Sequence, residues 1–342
     1  MSSGTWQIVA VVAVALVFDL MNGFHDGCNA VSTVIYTGAL KPKIAIGVSA
    51  FFNFVGPLAL GVAVAKTIGG IIKAGDATAH LVIAALVGAL VWEVLTWLWA
   101  LPVSSSHALV GGLIGAGLAA LGVHGIVWTK VYWIFGSLFF SPLIGIVIGL
   151  GLMRLSRYLW GLTHTSVAWA DRIFKWLQIG SSSWVSFSHG SNDATKVMGI
   201  IVIFLAAQQH KTIAAFSKGY RMGIPLWVVL ACAFAMAVGT FISVKSFRLI
   251  RTLGEKITKL HPINGFSAEL GGGLVIFLAS TFGLPVSTTH VVTSAVTGTG
   301  LGSGVGSVSW KVFRAIMLAW VVTLPFCAIV AAIVYYILNW VF

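Results

Sequence analysis

The stretch Leu101-Pro102-Val103-Ser104-Ser105-Ser106-His107 returns later in the chain as Leu284-Pro285-Val286-Ser287-Thr288-Thr289-His290, the same pattern with two serines replaced by threonine. Working outward, a second pair lies upstream. Gly23-Phe24-His25-Asp26 precedes the first copy, and Gly190-Ser191-Asn192-Asp193 precedes the second. Asp26 stands 76 residues before Pro102 and Asp193 stands 92 before Pro285, so the halves differ mainly in the loops between shared elements. Two motifs duplicated in the same order make the chain a doubled unit.

Composition gives the solvent in which this repeat folds. Of 342 residues, 58% are hydrophobic and 8% charged, with 39 glycines and 14 tryptophans; mean hydropathy is +1.01. About a quarter of a soluble domain is charged, so a polytopic membrane protein is expected. The first apolar run begins at Trp6 with no basic residue before it and no A-x-A site after it, which reads as a retained span and not a cleaved signal. Cys28, Cys232 and Cys327 lie far apart inside apolar runs and offer neither a disulfide framework nor metal-ligand spacing. The formal charge of +12 is scattered through short loops with no long basic tract, a pattern that orients a membrane protein and does not bind nucleic acid.

A bilayer core of about 30 Å takes roughly 20 apolar residues per helix. Such runs fall at 6–40, 44–65, 80–100, 102–122 and 131–152 in the first half, and at 180–207, 224–244, 265–283, 284–300 and 312–341 in the second. Segment 6–40 is too long for one straight span, and its middle, Asn22 to Asn29, is polar with two glycines. Irregular polar backbone persists at membrane depth only where protein buries it or it lines a cavity, so broken helices are expected here and around Ser188 to Asp193. Each hydroxyl cluster sits at the joint of two apolar runs, predicting re-entrant helical hairpins. The expected fold is an all-α membrane protein of two inverted-topology repeats. The first repeat covers 1–152, a cytoplasmic linker 153–179, in part an amphipathic helix, and the second, inverted repeat 180–342. Three crossings and one dip per half is an odd number, which inverts the second half.

Loop charges orient the chain. With the N-terminus outside, Lys41/Lys43, the 153–179 linker and the 245–259 loop lie inside at +2, +3 and +4, against the 66–79 loop at +1 and the 208–223 loop at +3 outside. The bias predicts that both termini lie outside an inner or plasma membrane.

Five of the eight carboxylates, Asp19, Asp26, Glu93, Asp193 and Glu269, fall within apolar segments, where an ionisable group is expensive and marks a functional site by default. Asp26 and Asp193 form the duplicated pair, each placed to hold a small hard cation together with backbone carbonyls, or to cap a half-helix. Asn29 and Asn192 offer amide oxygens to a cation or amide hydrogens to an anion. Lys196 occupies the slot that Asn29 holds in the first repeat, either to attract an anion or to neutralise Asp193 three residues earlier. His25 and His189 are candidate proton carriers. Ser104, Ser105 and Ser106, with Ser287, Thr288 and Thr289, follow prolines that suit a first helical turn. Free N–H groups at such a helix start bind tetrahedral oxyanions, and the hydroxyls add donors.

These residues resemble the inorganic phosphate transporter (Pit) family of secondary carriers. The family's G-x-N-D-x-A-N type signature matches Gly23–Asn29 and Gly190–Lys196, and its P-V-S-T-S/T-H hairpin motif matches Pro102–His107 and Pro285–His290. The resemblance covers essentially the whole chain. It implies an inverted-repeat fold, cation-coupled phosphate uptake and a homodimer in membrane lipid, with no cofactor and no metal beyond a transported cation. Cation binding carries over to Asp26, Asn29, Asn192 and Asp193, and phosphate binding to the six hydroxyls. His25 and Lys196 depart from the pattern of the family, in which many sodium-coupled relatives have Asn at these places. The departures point to bacterial members that use protons and carry metal-complexed phosphate, with proton coupling favoured over sodium.

The expected function is therefore proton- or sodium-coupled symport of inorganic phosphate, free or as a metal complex, and not catalysis. A sulfate permease of the same family is the alternative. A membrane hydrolase with Asp26 and Asp193 as its dyad leaves the second duplicated motif unexplained, and a channel has no use for hairpins closing a central site.

Overall fold

The computed structural model describes residues 3–61, 63–73, 75–208 and 223–341, all helical apart from turns and two isolated β-bridges. The basic residues expected in the 208–223 loop lie outside the described residues. In chain order the helices are α1 (Ser3–Tyr36), α2 (Pro42–Leu60), α3 (Ala63–Gly69), α4 (Ala79–Leu98), α5 (Ser105–Leu121) and α6 (Trp128–Leu162), then α7 (Val167–Gln208), α8 (Leu226–Ile242), α9 (Phe247–Glu255), α10 (Pro262–Thr281), α11 (Thr288–Ser303) and α12 (Trp310–Val341). The second six repeat the first six in order. Even the bridges correspond: Ile72 with Ile126 and Thr258 with Val308, each closing the base of a helical hairpin, α4–α5 or α10–α11. Segment 153–179 supplies the end of α6 and the start of α7, which turn over between Leu162 and Val167.

Among the described residues, eight helical stretches are long and apolar enough to cross a membrane, α8 and α9 counting together as one. Helix α5, with 17 residues, is shorter. The outer faces of α6 and α12 are apolar and open, as at Trp133, Phe139, Val147 and Val321, whereas the polar motifs point inward. That arrangement suits lipid as the surrounding solvent: apolar groups outside meet apolar chains, and the polar motifs are kept away from them inside the protein.

The expected breaks in the two long helices do not occur: α1 and α7 stay helical through Asn22–Asn29 and Ser188–Asp193. The glycines there serve helix crossing instead. A Cβ on Gly23 would run into the Met236 carbonyl of α8, and one on Gly190 into the Asn53 backbone of α2. Small residues of this kind let membrane helices approach backbone to backbone, so α1 lies on α8 and α7 on α2. The two halves are thus interleaved. Helix α5 packs on α12 of the second half, and α11 packs on α6 of the first.

Candidate functional site

The hairpins turn through extended residues, and their helices start one position after Ser104 and Ser287. These two serines are N-caps: Ser104 Oγ accepts from His107 N and Ser287 Oγ from His290 N, each at 3.1 Å. Pro102 and Pro285 stand two residues before the caps and not in the first helical turn, because the capping serine takes the position at the helix start. The two tips meet. Ser106 Oγ donates to the Val286 carbonyl at 3.0 Å, and the rings of His107 and His290 lie 4.5 Å apart.

The remaining hydroxyls reach the acidic motifs. Ser105 Oγ donates to Asp26 Oδ2 at 2.7 Å and Thr289 Oγ1 to Asp26 Oδ1 at 3.1 Å, while His25 Nδ1 lies 3.0 Å from Asp26 Oδ1. Asn29 Nδ2 donates to Thr289 Oγ1 at 2.8 Å. On the other side Thr288 Oγ1 donates to Asp193 Oδ2 at 3.2 Å, and Lys196 Nζ donates to Asp193 Oδ1 at 2.6 Å, Ser106 Oγ at 2.5 Å and the Val286 carbonyl at 2.9 Å. All these side chains are buried. Of the two roles open to Lys196, neutralising Asp193 is the one this geometry realises. The ammonium has three hydrogens, and each has an acceptor.

Most of the residues expected to bind a cation or an anion therefore form two hydrogen-bonded groups, one around Asp26 and one around Asp193, which meet as one cluster where the two carboxylates approach each other. Ser104 and Ser287 only cap their helices. Asn192 sits at the edge of the cluster and donates to Ser280 Oγ at 2.9 Å, away from the two carboxylates. His189 enters the cluster: single ligand atoms of Asp26, His189 and Asp193 lie within 4.8 Å of one another, a spacing that one cation can bridge. Its other nitrogen faces Asn53 Oδ1 at 2.9 Å, and Asn53 Nδ2 donates to Thr240 at 2.9 Å.

A chain so arranged has the parts of a carrier, and comparison with known proteins agrees. The model of the phosphate transporter family matches residues 22–331. The chain belongs to the phosphate transporter family. It is 43% identical over 333 residues to a probable low-affinity inorganic phosphate transporter of Rhizobium meliloti (strain 1021), covering 96% of each chain. It is 39% identical over 337 residues to the protein of the same description from Bacillus subtilis (strain 168), covering 98% of each. A solved structure described as the sodium-dependent phosphate transporter superposes with a TM-score of 0.85 at 25% identity, covering 98% of this chain and 100% of the other. Membership places the chain among multi-pass membrane transporters and not among enzymes, which removes the hydrolase reading.

Three contributors were not legible as site residues before folding. Val286 acts through its carbonyl, which any residue type supplies. Asn53 and Thr240 come from α2 and α8 and carry no motif. Glu269, unmatched in the other half, has a separate role: Ser181 donates to it at 2.8 Å and Gln178 at 3.3 Å, and Thr33 donates as well, so it ties α10 to α7 and α1. Asp19 and Glu93 are buried but make no hydrogen bond to the cluster.

Proposed function

We propose that this protein imports inorganic phosphate together with a cation across the cell's inner or plasma membrane, as two inverted repeats that expose one central site alternately to each side, with both termini outside. The observation that supports coupling is the pairing of each cation-type carboxylate with an anion-type hydroxyl: Ser105 with Asp26 and Thr288 with Asp193. A hydroxyl has one hydrogen to give. While Ser105 gives it to Asp26, it has none for phosphate. A cation drawn to the oxygens of Asp26 displaces that hydrogen and turns it toward the anion. Cation and phosphate binding thereby favour each other, as linkage requires of any reciprocal coupling. The charges point the same way, because an anion beside two buried carboxylates needs compensating positive charge.

Asp26, Asp193 and His189 are placed to hold the cation, with Asn29 and Asn192 at the flanks. Ser105, Ser106, Thr288 and Thr289 are placed to donate to the phosphate oxygens, on helix starts that Ser104 and Ser287 hold in shape. Uptake of labelled phosphate into proteoliposomes tests this. Concentrative entry that follows an imposed sodium or proton gradient, with weak competition from sulfate, is expected. Passive flux would indicate a channel, and stronger competition by sulfate a sulfate permease.

A further inference from the structure

We infer that the Lys196 ammonium permanently fills one of the cation places of the transport site, so that this carrier moves one cation fewer per phosphate than it would with a neutral, oxygen-bearing side chain at that position. The inference rests on the phosphate-import reading given above. Its first support is the shell around Nζ. A carboxylate oxygen, a hydroxyl oxygen and a backbone carbonyl, from Asp193, Ser106 and Val286, surround it at 2.5–2.9 Å. Hard cations take oxygen ligands of these kinds. An ammonium whose three hydrogens all point at such oxygens stands where a small cation would be coordinated, and none is left over to contact an anion.

The second support is the comparison between repeats. Asn29 holds the equivalent place on α1 and donates to Thr289, the equivalent of Ser106, at 2.8 Å. Being neutral, it adds no charge beside Asp26, whose partners are His25, Ser105 and Thr289, so with His25 and His189 neutral the one tethered positive charge in the site is that of Lys196. Two carboxylates and one ammonium sum to a single negative charge. One monovalent cation in the space shared by Asp26, His189 and Asp193 cancels it. With asparagine at position 196 the same carboxylates would leave two negative charges, and a second cation would be needed beside Asp193. Because the ammonium is tethered to α7 and bonded to both tips, through Ser106 and Val286, it cannot leave with the phosphate.

The test uses the full chain, purified, with sodium as the probe. Melting in detergent is followed in sodium chloride and in choline chloride of equal ionic strength, and charge moved per phosphate is read in proteoliposomes from the voltage at which labelled phosphate flux reverses. Lys196→Asn should melt lower than the parent in choline, recover in sodium by more than the parent does, and carry one additional positive charge per phosphate. The paired change of Lys196→Met with Asp193→Asn, which removes both charges, should show only the parent's response to sodium. The inference is overturned if Lys196→Asn has the parent's sodium response or charge number, if it loses its fold in both salts, or if the paired variant is as sodium-dependent as the single one. A parent that carries no phosphate would defeat the function reading alone, since the melting comparison still decides the role of the lysine.

Discussion

Asn29 and Lys196 hold equivalent places in the two repeats and donate to equivalent hydroxyls, Thr289 at 2.8 Å and Ser106 at 2.5 Å, but only the lysine also reaches its own repeat's carboxylate, Asp193 at 2.6 Å. The internal symmetry of shape is kept while the symmetry of charge is broken. The two aspartates should therefore respond differently to the same substitution.

Asp26→Asn keeps an oxygen for Ser105 and strands no tethered cation, so it should abolish concentrative uptake while melting near the parent. Asp193→Asn should also abolish uptake, but it leaves the buried ammonium of Lys196 without its carboxylate. Removing one partner of a buried ion pair costs about 3–5 kcal/mol. A melting temperature for Asp193→Asn clearly below that of Asp26→Asn is the expected result; equal values would mean that the lysine finds its stabilisation elsewhere.

The hydroxyl clusters divide into caps and donors. Ser105→Ala and Thr288→Ala should weaken apparent phosphate affinity by roughly 1–3 kcal/mol each, the range for a hydrogen bond to a charged partner. Ser104→Ala and Ser287→Ala remove N-caps and should lower stability by about 1 kcal/mol each, with a smaller effect on affinity. Phosphate titrations of uptake, run beside thermal unfolding of the four variants, separate the classes. Equal affinity losses in all four would erase the distinction between cap and donor.

The all-helical membrane fold and the candidate polar residues that gather inside it could be read from the two motif pairs, because polar residues inside apolar runs are rare enough to stand out. What could not be read was how the halves interleave. Nothing in the order of elements says that α5 packs on α12 and α11 on α6, since that choice depends on close backbone approach between residues far apart in sequence. Gly23 and Gly190 show the same limit. A glycine inside a polar motif serves a break or a crossing equally well, and only the neighbouring backbone, Met236 for one and Asn53 for the other, decides between them.

That decision yields a prediction of its own. Gly23→Ala and Gly190→Ala each push a methyl group against a facing backbone that has no side chain to move aside. Overpacking of this kind costs about 1–3 kcal/mol. Gly136→Ala is the control, because a Cβ there meets nothing within 4 Å and alanine favours the helix by up to about 1 kcal/mol. Thermal unfolding in detergent should place the control at or above the parent and the two crossing variants below it. Motif variants as stable as the control would restore the idea that these glycines serve flexibility and not contact.

Counting oxygens around the carboxylates supports a proposal for the coupling ion. A sodium ion needs several oxygen ligands, and at two positions beside the carboxylates this chain carries nitrogen-bearing side chains. His25 Nδ1 lies 3.0 Å from Asp26 Oδ1, and Lys196 Nζ lies 2.6 Å from Asp193 Oδ1. A proton makes no such demand, because a single carboxylate or imidazole can carry it. Uptake driven by an inward proton gradient in sodium-free buffer is therefore expected, with little added by a sodium gradient. Phosphate itself changes protonation with pH, so the comparison is made between variants at one fixed gradient. His25→Asn returns an amide oxygen to Asp26 and should reduce proton-driven uptake while raising the response to sodium. If the parent instead requires sodium, and a proton gradient alone moves no phosphate, then the oxygens of Asp26, Asp193, Ser105 and Thr288 suffice for sodium and the proton assignment fails, while the placement of the site between the two hairpin tips is unaffected.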